Sequence, residues 1–99
     1  MFRETVRGWI AEMEEKGTIS GLDEAARKRL ADDYTVKLEE FFTEAVADQL
    51  RPAGKTADFE RMMIYDSQYV HKYLNQAIPG YYGFRSEIFE KARKAITGE

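Results

Sequence analysis

The chain has no cysteine in its 99 residues. That excludes disulfide staples, thiolate catalysis and thiolate-held metal. Small extracellular domains commonly carry such staples, so the absence points to a cytoplasmic protein. There is one histidine, His71. It lies in neither a His-Glu-x-x-His nor a Glu-x-x-His context, so the zinc-hydrolase and di-iron bundle patterns are missing. "RPAGKTADF" contains Gly-Lys-Thr but lacks the first glycine of a phosphate loop and a strand before it. β-branched residues never alternate long enough to mark a strand. No apolar run nears the roughly 20 residues that span a bilayer. In "MFRETVRGWI" the charges Arg3, Glu4 and Arg7 interrupt what an export signal needs as an unbroken apolar stretch. No cofactor, metal, membrane or catalytic machinery is expected, and the reading is non-enzymatic.

What is present is a soluble globular composition: 43% hydrophobic, 33% charged and 13% aromatic residues. This length fits one domain with one modest core. The net charge of -3, from 15 basic and 18 acidic residues, lacks the basic excess of a duplex-binding surface. A local basic patch remains open. An alternative to a protein-binding role is therefore a nucleic-acid-associated accessory protein that uses Arg51, Lys55, Arg61 and the basic C-terminal turns.

Helical periodicity runs through the whole chain. Phe2, Val6, Trp9, Ile10 and Met13 share one face of a first helix, which Gly17 ends. Gly8 weakens that helix unless a tight backbone contact requires it. Ser20 is the expected cap of a second helix, with Asp23 in its first turn. No proline or glycine then intervenes before "RPAG" at residues 51–54. A helix of roughly 28 residues is about 42 Å long, against a radius of gyration of about 13 Å for a compact domain of this size. It must bend, overhang the core or pack on a second copy. Shorter helices follow: about Ala57 to Tyr65 with Thr56 as cap, from Asp66 or Ser67 to about Ile78, and about Tyr82 to Ile96. The expected fold is an all-α, compact four- or five-helix bundle with one long central helix.

The carboxylate row Glu40, Glu44 and Asp48 reads as a solvated face, as do Glu12, Glu14 and Glu15. His71 reads as a packed or solvated side chain. Tyr65, Tyr69 and Tyr73, spaced i, i+4 and i+8, are placed on one edge of the fourth helix. Tyr81 and Tyr82 lie just beyond it in "AIPGYYGF", and Arg85 stands beside them. These rings either roof the core or form a contact surface, because tyrosine suits both. The long helix carries two apolar stripes, and a homodimer through it is expected to place Phe42 and Val46 at the contact. The leading expectation is a module that binds another protein or a second copy of itself.

From Lys55 to Ile96, "ADFERMM", "YLNQAIPG" and the closing amphipathic helix resemble a small all-helical bacterial domain family without an assigned activity. "VKLEEFFTEAVADQL" fits the same pattern. The resemblance implies an all-helical fold and brings no catalytic residue.

Overall fold

A computed structural model describes residues 2–65 and 67–98, with side chains described except at 53, 63–65, 67 and 68. Five α-helices follow one another: α1 (Arg3–Glu15), α2 (Glu24–Leu50), α3 (Thr56–Tyr65), α4 (Ser67–Ala77) and α5 (Tyr81–Thr97). A 3-10 turn at Arg51–Ala53 ends the long helix, and no described residue is in a strand.

Helix boundaries follow local chemistry. Gly17, with φ of 76°, supplies the left-handed residue after α1. The cap of α2 is Asp23 rather than Ser20; its carboxylate accepts the Ala26 N–H at 2.7 Å. A carboxylate satisfies a free N–H and also meets the positive helix end, which a serine hydroxyl does less well. Thr56 is the first residue of α3 rather than the cap before it. Gly80, with φ of 69°, turns the chain from α4 into α5.

α2 is the axis of the fold. α5 and α1 make its largest contacts, and α3 reaches it as well. Ala31, Leu38, Phe42, Val46 and Leu50 of α2 are all buried. Thr35, also buried, satisfies its hydroxyl by donating to the Ala31 carbonyl at 2.6 Å. The molecule measures 46 × 24 × 17 Å with a radius of gyration of 14.9 Å. It is therefore stretched along α2, as the length of that helix requires.

The expected dimer contact at Phe42 and Val46 is not available, because both side chains are fully buried by the chain's own helices. The reason is that no single short helix covers α2, but α1, α3, α4 and α5 do so in turn. Their buried residues join into one cluster with Phe42 at its centre. Phe2, just before α1, closes that cluster. Its ring lies 4.8 Å from Phe42, 5.3 Å from Phe89 and 6.0 Å from His71, so one side chain links α1 to α2, α5 and α4.

Exposed ion pairs tie α1 down at its other edge. Glu14 takes a two-pronged contact from Arg27 at 2.9 and 2.7 Å, Glu12 accepts from Arg93 of α5, and Arg3 pairs with Asp32. Glu12 and Glu14, read as part of a solvated face, thus bridge helices. Gly8 has no packing reason: a Cβ built there meets nothing within 4 Å.

Two outcomes follow for equilibrium denaturation. Phe2→Ala should cost about 3–5 kcal/mol, the usual loss for deleting a buried aromatic ring. Gly8→Ala should stabilise by about 0.5–1 kcal/mol, since the helix loses a flexible residue at an open position. A destabilised Gly8→Ala protein would mean that a backbone contact exists there after all.

Candidate functional site

The corner between α4 and α5 brings together His71, Tyr81 and Tyr82. Its geometry starts at Pro79 and Gly80. Proline ends α4, and the left-handed glycine lets α5 begin at once with Tyr81. Tyr81 then points inward and is fully buried. Its phenol oxygen meets His71 Nδ1 at 2.5 Å, across the corner.

His71 is half-buried, with its ring 6.0 Å from that of Phe42 and 5.9 Å from that of Tyr81. Burial holds its pKa below the ordinary histidine value, and the nearby Arg85 cation adds to the effect. The ring is therefore neutral at pH 7. A neutral imidazole with its proton on Nε2 would accept from the Tyr81 hydroxyl at Nδ1. Burial also pushes the Tyr81 phenol up to about 12, although Arg85 pulls the other way. The contact joins α4 to the start of α5 and acts as a lock across the corner.

Arg85 extends the cluster outward. Its guanidinium carbon lies 5.2 Å from the Phe89 ring centre and 6.0 Å from that of Tyr82. Tyr82 packs its ring 5.4 Å from Tyr81 yet remains 55% exposed. A cation held against aromatic faces is ordered before any partner arrives.

The tyrosines read as one edge divide into different roles. Tyr65 ends α3 rather than lying on α4, and its side chain is outside the described residues. Tyr65 belongs to α3 while Tyr69 and Tyr73 belong to α4, so the i, i+4, i+8 spacing does not describe one helical row. Tyr69 is 57% exposed on α4. Tyr73 packs against the core, and its hydroxyl is enclosed without a hydrogen-bond partner among the described residues. Tyr81 is a core plug and offers no contact surface. Among the described side chains, the exposed part of the predicted surface is thus Tyr69 and Tyr82, with Arg85 half-buried beside Tyr82.

Other features add little chemistry. Glu40, Glu44 and Asp48 are exposed as expected. No group of three His, Asp or Glu that could hold a metal exists among the described residues. Among the described residues no helix is long and apolar enough to cross a membrane. A groove of about 580 Å³ runs between α1 and α2, floored by Ile10 and Ala31. Two of the cations on its rim, Arg3 and Arg27, are already held by Asp32 and Glu14. Arg51 and Arg93 of the expected basic patch are likewise paired, with Asp48 and Glu12.

No family model, curated protein or solved structure matches the chain. The family resemblance of residues 55–96 therefore rests on their motifs alone.

Sequence reasoning missed the His71–Tyr81 lock and the Phe2 ring contacts. The two partners of the lock are ten residues apart on different helices, and no local spacing marks such a pair. The one available signal was a lone histidine on a helix whose neighbours Val70 and Leu74 face inward.

Burial of His71, with Arg85 close by, makes stability depend on pH with a defined sign. Native His71 binds a proton more weakly than the unfolded chain, whose histidine has the ordinary value of 6.5. Stability is therefore full above about pH 6.5 and falls as the pH drops below it. Glu12 and Glu14, lowered chiefly by hydrogen bonds from Arg93 and Arg27, add a separate loss that begins below 4.5. His71→Gln should flatten the denaturation midpoint between pH 7 and 5 while leaving the more acidic limb in place. An unchanged slope in that range would show that His71 is not the group responsible.

Proposed function

We propose that this chain is a non-enzymatic, cytoplasmic interaction module that docks on another protein or on a second copy of itself. The observation that carries this reading is the outward placement of Tyr69 and Tyr82, at 57% and 55% exposure. Large rings are held out in water in a fold that otherwise packs its aromatics closely. Tyrosine combines apolar area with a hydroxyl and loses little conformational entropy on contact, which is why it is enriched where proteins meet.

The setting of Tyr82 supports the same reading. The buried Tyr81 fixes the backbone beside it, and Arg85 is aligned against the Tyr82 and Phe89 rings. A tyrosine and an arginine on one rigid helix turn form a pre-ordered pair of the types that dominate binding energy. The His71–Tyr81 contact keeps that turn in place and thus has a positioning role.

The test uses Tyr69→Ser and Tyr82→Ser, singly and together, in capture from the native host and in solution mass. Stability should change by no more than about 0.5 kcal/mol, as for most surface substitutions. A captured species should weaken by about tenfold or more on loss of a tyrosine anchor. Equal capture by the parent and the double variant would contradict the proposal. Binding of a single-stranded oligonucleotide at low salt, lost with Tyr82→Ser, would transfer the surface to nucleic acid instead.

A further inference from the structure

The face of α2 turned away from the core carries a pattern that the corner does not explain. Ala26, Arg29, Asp33 and Val36 recur at spacings of three, four and three residues, the alternation of a coiled-coil seam. Val36 is 54% exposed, the one large aliphatic side chain left in water among the described residues. Leu22, Ala26, Arg29, Leu30 and Asp33 surround a shallow groove of about 500 Å³ on this face. The buried residues of α2, Ala31, Thr35, Leu38, Phe42 and Val46, lie on the opposite side of the helix. None of the four seam residues belongs to the buried cluster or packs against it among the described residues.

We propose that this seam docks a second copy of the chain, antiparallel, about a two-fold axis level with Ala31. The proposal rests on the self-association half of the functional reading and supplies its site. Charge decides the direction. A parallel, in-register pair would set Arg29 against Arg29 and Asp33 against Asp33, two like-charge contacts on the seam. The antiparallel pair sets each Arg29 against the other copy's Asp33, twice over by symmetry. The same register sets Ala26 of each copy against Val36 of the other. Val36 then enters the space that Leu22, Ala25, Ala26 and Arg29 leave, where two alanines make room for it.

The charges are available for this use. Arg29 has no ion pair among the described residues. Asp33 holds only its exposed neighbour Lys37, at 3.2 Å, and a carboxylate can accept from a second cation. The seam is short and its apolar content is small, so the contact belongs to the weak, reversible class. Its salt bridges set orientation more than strength. This placement also differs from a dimer through Phe42 and Val46, which the fold buries.

The experiment is sedimentation velocity from micromolar to millimolar concentration, on the full chain and on charge-reversed variants. The parent should shift from one chain to two as concentration rises. Arg29→Glu alone, or Asp33→Arg alone, should weaken that association by about tenfold or more, since each creates two repulsive contacts. An equimolar mixture of the two variants should recover it, because each reversed charge then meets its opposite. All positions are on the outer face, so unchanged circular dichroism verifies that the variants fold. A dimer that both reversals leave intact overturns this seam but keeps self-association through another surface. A single-chain mass for the parent throughout overturns the seam and the self-association half of the reading together. Because the chain lacks cysteine, mixing Ala26→Cys with Val36→Cys gives a direct check of register. Disulfide cross-links should form in the mixture faster than in either variant alone, and equal rates would overturn the antiparallel register.

Discussion

The ring of Phe2, set among Phe42, Phe89 and His71, is the contact on which the arrangement of helices depends. α2 is too long for any one neighbour, so the fold needs a point where several short helices meet it at once. Phe2 supplies that point from a position just outside α1. It carries the end of α1 onto the middle of α2 and meets α4 and α5 there. Edge-to-face aromatic contacts at these separations add about 0.5–1.5 kcal/mol each beyond simple burial.

Magnitudes place the surface charges second. The Glu14–Arg27, Glu12–Arg93 and Arg3–Asp32 pairs all bridge α1 to another helix, yet each is at least partly open to solvent. Such pairs contribute from about zero to 1 kcal/mol each and weaken in salt. They set the angle at which α1 lies, while the buried rings hold it there. The same hierarchy applies at the α4–α5 corner. There, burial of Tyr81 positions the turn, the His71 hydrogen bond completes it, and Arg85 orders the exposed edge. Structure and proposed function meet at this corner, because the rigidity that buries Tyr81 is what presents Tyr82.

Much of this fold was legible in the sequence because amphipathic helices announce their inner faces. All five residues assigned to the inner face of α1 are buried, as are Val70 and Leu74 of α4 and Ile78 just after it, while Ala77, read as inward too, is half-buried. The breaks at Gly17, "RPAG" and "IPG" were legible because glycine and proline act through local backbone geometry. The tyrosine surface was only partly legible. Spacing placed Tyr65, Tyr69 and Tyr73 on one helical edge, but Tyr65 belongs to α3 and the other two to α4. Burial at Tyr81 depends on a hydroxyl partner on another helix, which one-dimensional pattern does not reveal. The outer seam of α2 was hidden for a different reason: Arg29 and Asp33 occupy positions where an apolar residue would have drawn attention.

If Phe2 joins α1 to the rest of the core, α1 has no independent stability, and the domain opens as a unit. Native-state hydrogen exchange in low denaturant measures this directly, since it reports the opening free energy of each segment. The account predicts that amides near Val6 and Ile10 share the opening free energy and denaturant slope of amides in the centre of α2 and α5. Exchange of α1 at a distinctly lower free energy, with α2 to α5 still protected, would contradict it.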